Sequence, residues 1–238
     1  MGEISRAIPR RERLIAALDV PTAAEARLMV EKLGESVRFY KIGLELSTTG
    51  GYYELLDWLV KRGKRVFCDL KLHDIPETVR RAVANLRGRG VGFLTVHADR
   101  GVMDAAVGQK GDMQVLAVTV LTSAGPADLA AMGYAGKLED LVILRARAAA
   151  DTGCDGVISS GLEAAAIKMN FGARLLVVTP GIRPAGGDVA DQKRVVDVAQ
   201  AFGNGADYIV VGRPIRDARD PAAAAEAIQE TIAGVFPS

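Results

Sequence analysis

Four ionisable side chains, Asp69, Lys71, His73 and Asp74, crowd the centre of the stretch Val66-Phe67-Cys68-Asp69-Leu70-Lys71-Leu72-His73-Asp74-Ile75-Pro76-Glu77-Thr78. Carboxylates and ammonium groups this close together are equipped to move protons and to stabilise charge that develops on a bound molecule. Lys41 supplies a further cation, so Lys41, Asp69, Lys71 and Asp74 alternate in sign and sum to zero. Each charge then sees opposite neighbours that offset the cost of leaving water, and every member stays ionised. Their titrations are coupled, so no pKa belongs to one of them alone. His73 and His97 are the only histidines, which excludes a His-rich metal cluster and leaves proton transfer mainly to Asp and Lys. His97 reads as a core residue or a neighbour of the reacting groups, and His73 as packing or capping. Taken singly, an Asp-x-Lys at a strand end is a solvated ion pair and Asp74 a helix cap. Matching charged residues at the ends of other strands are what argue for a site.

The hydrophobic pattern gives the elements that hold these groups. Residues 65–70 read as a short buried strand, so Phe67, Asp69 and Lys71 share one face while Val66, Cys68 and Leu70 share the other. Asp-x-x-Glu ahead of Val79 and Val83 is a capping-box pattern, with Asp74 as N-cap and Pro76 in the first turn. One turn of chain would thus gather Asp69, Lys71 and Asp74. Residues 14–19 form an apolar run closed by Asp19, followed by a helical pattern through Ala26, Met29, Val30 and Leu33. Residues 38–43 are a second strand carrying Lys41, with a helix through Tyr53, Leu56, Leu59 and Val60. Val79, Val83 and Leu86 mark a third helix, residues 93–97 a fourth strand with a short helix from about Val102, and residues 113–121 a long fifth strand ending in Thr122-Ser123. A helix over 138–150, strands at 155–159, 174–179 and 207–211, a helix at 161–171 and a terminal helix from Pro221 complete the order.

Strands that are continuous Val/Ile/Leu runs alternating with helices point to a parallel sheet covered on both faces. A (β/α)₈ barrel in the α/β class fits better than an open doubly wound sheet, because no Gly-x-Gly-x-x-Gly follows the first strand. Residues 1–238 are read as one such domain. In a barrel of this type the C-terminal strand ends form the active face. Asp19 ends strand one, Lys41 strand two, Asp69 and Lys71 strand three, and Thr122 and Ser123 strand five. Arg183 follows strand seven, and Gly212-Arg213 follow strand eight. Gly212, Arg213, Arg183 and Gln192 lie where barrels commonly bind a phosphate, since a small residue admits backbone N–H groups and arginine offers a two-pronged donor. The loop at 180–192, with Pro184, Gly186 and Gly187, reads as a lid over the ligand.

The balance of residues narrows the partners. With 49% hydrophobic and 25% charged residues, the 238-residue chain can bury a sizeable core. A net charge of +1 without like-charge runs gives no electrostatic case for nucleic acid or an anionic membrane surface, so the expected partner is a small molecule. No apolar run approaches a membrane span, and residues 1–13 lack the apolar core of a secretory signal, so the expected location is cytoplasmic. Cys68 and Cys154, far apart, read as reduced core thiols.

Nearly the whole chain resembles the orotidine 5′-phosphate decarboxylase family. The resemblance is carried by Ala17-Leu18-Asp19, Lys41-Ile42-Gly43, Asp69-Leu70-Lys71-Leu72-His73-Asp74-Ile75-Pro76-Glu77-Thr78, residues 118–123, Pro180-Gly181-Ile182-Arg183, Gln192 and Val211-Gly212-Arg213. The Asp-x-Lys-x-x-Asp-Ile-Pro string is the most specific part. Ala98-Asp99-Arg100-Gly101 departs from the family, which more often has smaller residues there. The resemblance implies decarboxylation of orotidine 5′-phosphate to uridine 5′-phosphate in pyrimidine nucleotide synthesis, with no metal and no cofactor. It implies Lys71 as the proton donor to C6, Asp69 beside the substrate carboxylate, and Lys41 and Asp74 holding the charged array. Asp19, Lys41 and Thr78 would contact the ribose, Thr122 and Ser123 the pyrimidine, and Arg183, Gln192, Gly212 and Arg213 the phosphate. It further implies a homodimer in which Asp74, Ile75 and Thr78 reach the neighbouring site. Two alternatives remain. A Mg²⁺-dependent sugar-phosphate decarboxylase or aldolase of the same superfamily would carry an acidic ligand where Lys41 stands. A non-catalytic nucleotide-binding barrel would have lost Asp69 or Lys71.

Overall fold

The computed structural model describes residues 8–183, 194 and 196–237. Eight parallel strands close in sequence order into a barrel: β1 (Leu14–Ala17), β2 (Phe39–Gly43), β3 (Arg65–Leu72), β4 (Val91–His97), β5 (Gln114–Val118), β6 (Gly156–Ile158), β7 (Leu176–Thr179) and β8 (Tyr208–Val211). The ring is completed by β8 against β1, with Ile15 opposite Val210. Around it run α1 (Ala23–Leu33), α2 (Leu44–Ser47), α3 (Tyr52–Lys61), α4 (Pro76–Leu86), α5 (Arg100–Val107), α6 (Pro126–Ala131), α7 (Leu138–Thr152), α8 (Ala164–Phe171), α9 (Val198–Gly203), α10 (Arg213–Arg216) and α11 (Pro221–Val235). The (β/α)₈ architecture read from the alternation of apolar runs is the one observed.

Strand alternation divides the core in two. Ile15, Phe39, Phe67, Phe93, Leu116, Val178 and Val210 fill the barrel. Their neighbours Leu14, Tyr40, Val66, Leu94, Val115, Val177 and Ile209 pack outward beneath the helices. Each helix meets them with a stripe at helical spacing, as in α4, which buries Val79, Val83 and Leu86. Toward the N-terminal end of the strands, Phe39, Phe67, Phe93 and Tyr208 interlock with ring centroids 5.0–6.0 Å apart. The Arg65 guanidinium covers the Phe39 ring at 4.2 Å and pairs with Glu12 at 2.6 Å, closing that end. Polar chemistry is left to the C-terminal strand ends. Both cysteines are buried and unpaired, and burial pushes their thiols up, Cys68 to about 12 and Cys154 to about 11, which suits the core role expected of them.

Three local expectations are corrected. Asp74 is not the N-cap of α4: Pro76 opens the helix, Ile75 takes the cap position, and no side chain caps it. Proline suits the first helical position because its missing N–H and fixed φ cost nothing there, and this shifts the start past Asp74. Glu77, the supposed other half of the capping box, instead pairs with Arg80 and Arg81 at 2.7 Å each. Second, β3 runs to Leu72 but does not alternate to its end. Cys68 stands opposite Leu94 and Leu72 opposite Val96, so β3 spends two more residues than β4 over this interval, and Lys71 takes a left-handed conformation with φ 47°. Third, β5 stops at Val118 and not at Leu121, because its partner β6 offers only three residues.

Candidate active site

The C-terminal strand ends surround a cavity of about 410 Å³ lined on one side by Asp19, Lys41, Asp69 and Lys71, on another by Thr122 and Ser123, and on a third by Gly181, Arg183, Gly212 and Arg213. Apolar side chains of Phe67, Val118, Ile158 and Val210 form its floor.

The charged wall is built strand by strand. Lys41 projects from the middle of β2, and its Nζ donates to Asp19 Oδ1 at 2.8 Å, just beyond β1, and lies 3.5 Å from Asp69 Oδ2 on β3. Lys71 Nζ donates to the same Asp69 oxygen at 2.8 Å. The remaining Asp69 oxygen, Oδ1, accepts from Thr95 Oγ1 at 2.8 Å, and that hydroxyl accepts from the Lys71 backbone N–H at 3.0 Å. Thr95 therefore ties the carboxylate to the strained residue beside it. A left-handed non-glycine backbone costs on the order of 1 kcal/mol or more and persists only where its surroundings hold it. Gly43 has a separate reason to be glycine: a Cβ there would lie 3.0 Å from Lys41 Nζ.

Burial decides how this wall behaves. Lys41 and Asp69 are each 8% exposed, whereas the Lys71 side chain keeps 35% of its surface. Burial by itself drives the Lys41 pKa down, but the charges of Asp69 and Asp19 and their hydrogen bonds outweigh it, and the net shift is upward. Burial likewise drives Asp69 up, and the charges of Lys41 and Lys71, with hydrogen bonds from Lys71 and Thr95, turn the net shift downward. Both stay ionised. The half-open Lys71 ammonium is the one poised toward the cavity.

Within this chain the carboxylate that joins Lys41, Asp69 and Lys71 is Asp19. Asp74 is exposed, its Oδ1 accepts from the adjacent Ile75 N–H at 2.7 Å, and it is absent from the cavity wall. The reading that one turn gathers Asp69, Lys71 and Asp74 is corrected for this chain: closeness in sequence brought Asp74 into that group, whereas the barrel brings in Asp19 from a neighbouring strand. Ile75, 67% exposed, and Thr78, also exposed, likewise lie outside the wall. Gln192 lies outside the described residues, as does most of the loop read as a lid. His97 sits outside the cavity with its ring 5.0 Å from that of His73. Burial first, then His73, Arg145 and Lys71, lower its pKa.

Two residues that sequence reading missed complete the geometry. Thr95 is hidden in an apolar run, although its two-residue offset from Phe93 places it on the inner face. Arg216, at the end of α10, lines the cavity and donates from Nη1 to the Asp19 carbonyl at 2.7 Å while pairing with Asp217. Among the described residues no group of three or more His, Cys, Asp or Glu side chains could hold a metal ion. The gap between Asp19 and Asp69 is bridged by the Lys41 ammonium, which repels a cation.

Residues 12–228 match the model of the orotidine 5′-phosphate decarboxylase / HUMPS family. The chain is 53% identical over 233 residues to the orotidine 5′-phosphate decarboxylase of Methylococcus capsulatus, covering 98% of this chain and 96% of that protein. It is 54% identical over 228 residues to that of Xanthomonas euvesicatoria, covering 95% and 94%. The crystal structure of the Lactobacillus acidophilus orotidine 5′-phosphate decarboxylase superposes with a TM-score of 0.82 at 35% identity, over 93% of this chain and 99% of that one. With a family match over residues 12–228, relatives more than half identical and a shared barrel, this chain belongs to the orotidine 5′-phosphate decarboxylase / HUMPS family.

Proposed function

We propose that this protein decarboxylates orotidine 5′-phosphate to uridine 5′-phosphate, without a metal or cofactor, in pyrimidine nucleotide synthesis. The observation that carries the proposal is the Asp19–Lys41–Asp69–Lys71 chain of contacts, with Lys71 Nζ at 2.8 Å from Asp69, in a cavity that also holds Arg183 and Arg213. The arginines, with Gly212 and Gln192, take the phosphate; Thr122 and Ser123 address the pyrimidine; Asp19 and Lys41 meet the ribose. The substrate carboxylate then lies beside Asp69. As the C6–carboxylate bond breaks, its electron pair stays on C6, carbon dioxide departs, and the Lys71 ammonium delivers a proton to C6.

Magnitudes apportion the work. Two carboxylates about 4 Å apart at an effective dielectric near 20 repel by roughly 4 kcal/mol. Relieving all of that in the transition state gives on the order of a thousandfold. Cleavage of an unactivated C–C bond needs far more, so most of the acceleration comes from the Lys71 ammonium stabilising the developing carbanion in a site closed against water. Lys41 cannot replace it, because it is already shared between Asp19 and Asp69. The same ammonium speaks against a Mg²⁺-dependent sugar-phosphate chemistry, which would need an acidic ligand at that position.

The protein acts as a cytoplasmic homodimer of this barrel in which Asp74, Ile75 and Thr78 enter the partner's site. Their exposure and their absence from the chain's own cavity support that reading. Loss of orotidine 5′-phosphate absorbance on adding purified protein in EDTA-containing buffer tests the activity. Conversion to uridine 5′-phosphate is expected; conversion only after Mg²⁺ is restored would overturn the metal-free chemistry.

A further inference from the structure

Beyond Val118 the chain leaves the sheet, and its carbonyl groups need partners that a neighbouring strand no longer supplies. Two arginines supply them in succession, the half-buried Arg145 and the buried Arg194. Arg145 Nη1, from α7, donates to the Thr119 carbonyl. Arg194 Nη2 donates to the Val120 carbonyl at 3.3 Å and the Leu121 carbonyl at 3.0 Å. Thr122 follows at once and is itself 8% exposed on the cavity wall. Arg194 is 9% exposed and reaches this position because its other nitrogen, Nη1, is fixed at 2.7 Å by Glu163, which is 6% exposed. Glu163 in turn accepts from Ser159 Oγ at 3.3 Å, immediately past β6. Neither Arg194 nor Glu163 lines the cavity.

We infer that Arg194, oriented by Glu163, is a positioning residue for the reaction: it fixes the turn that presents Thr122 and Ser123, and so sets how tightly the pyrimidine end of the ligand is held. The physical reason lies in the surroundings. A turn released from the sheet has many conformations open to it, and two charge-assisted bonds from one planar fork select one. The fork is itself held, since a buried guanidinium remains in place only when a buried carboxylate balances it. Arg194 thus joins the turns after β5 and β6 into one unit beneath the base.

This inference rests on the assignment of Thr122 and Ser123 to the pyrimidine, and the test separates the two. Binding of uridine 5′-phosphate and of ribose 5-phosphate, which lacks the base, is measured by calorimetry for the wild type, Arg194→Met, Arg194→Lys and Glu163→Gln. Arg194→Met, which removes both bonds to the turn, is expected to weaken uridine 5′-phosphate by on the order of tenfold or more, while ribose 5-phosphate binding holds steady. Arg194→Lys keeps the charge and loses the fork, so it is expected to show the same selective loss. In a Thr122→Ala background the further change to Met should add little, because both act through one turn. Unchanged uridine 5′-phosphate affinity in a folded variant, or equal loss for both ligands, would overturn the inference. Should Arg194→Met fail to fold, Arg194→Lys and Glu163→Gln decide by the same comparison. A wild type that binds ribose 5-phosphate but gains nothing from the base would overturn the assignment of Thr122 and Ser123, and this inference with it.

Discussion

Replacing Thr95 by valine removes one oxygen atom from the centre of the charged wall and leaves the volume of a fully buried side chain nearly unchanged. Two hydrogen bonds depend on that oxygen: its donation to Asp69 Oδ1 at 2.8 Å and its acceptance of the Lys71 N–H at 3.0 Å. The first is charge-assisted, and the second leaves a partly buried donor unmet when it goes. Each loss is worth roughly 1–3 kcal/mol, giving a combined destabilisation of about 3 kcal/mol. For a chain of this length that lowers the melting temperature by roughly 10 °C. The larger effect is on turnover. Lys71 sits at φ 47°, and Thr95 is the side chain that ties its backbone to the carboxylate it must face. With the tie cut, the ammonium should wander from its position, and misplacement of a reacting group by about 1 Å costs on the order of a hundredfold. Initial rates of orotidine 5′-phosphate consumption should therefore show kcat down by about that factor with KM little altered. Thr95→Ser, which keeps the hydroxyl, should recover most of the rate. A folded Thr95→Val enzyme with kcat within about threefold of wild type would refute the idea that this hydroxyl holds Lys71 in place.

Gly43→Ala should reduce kcat while the protein stays folded, since the new methyl would press within 3.0 Å of a Lys41 ammonium pinned between two carboxylates; steady-state kinetics beside a melting curve would check it, and full activity would contradict it. The pH dependence of stability has a defined sign. Asp69 is shifted below its ordinary 3.8, so its contribution is present above that value and fades as pH falls through the folded-state pKa. Lys41 is shifted above its ordinary 10.5, so its contribution is present below that value and fades as pH rises through the folded-state pKa. The stability difference between wild type and Asp69→Asn should thus hold steady from about pH 7 down to about pH 5 in denaturant titrations and change only at more acid pH; a transition between about pH 5 and 7 would be contrary to the assigned Asp69 shift. Asp74→Asn should lose activity although Asp74 is outside its own chain's cavity. Mixing it equally with Lys71→Ala and allowing subunits to exchange should restore about a quarter of wild-type activity, because one site in each mixed dimer is then complete. No restoration despite demonstrated exchange would exclude a shared site.

Much of the site was legible because a buried parallel strand is nearly all apolar, so Lys41 and Asp69 stand out within theirs and Asp19 just past its own. The capping-box reading of Asp74 failed because Pro76 competes for the helix start and wins by its fixed φ. Overextension of β5 had a different cause: residues 119–121 are as apolar as a strand, yet strand length is set by the neighbour, and β6 ends first. Thr95 and Arg216 escaped notice since neither breaks a local pattern. One is a small polar residue inside a strand and the other a basic residue in a short helix, and only barrel closure brings them to Asp69 and Asp19. Arg194 is the furthest case, because its partners Val120, Leu121 and Glu163 come from two other strand–helix turns.

In the proposed mechanism the Lys71 ammonium, aimed by Asp69, delivers the proton that replaces carbon dioxide. Its most direct test is the Lys71→Ala enzyme, assayed beside wild type for orotidine 5′-phosphate loss in EDTA-containing buffer, with uridine 5′-phosphate binding measured on the same samples. The variant is expected to fold and to bind uridine 5′-phosphate but to turn over no detectable substrate. Substantial decarboxylation by Lys71→Ala would contradict it.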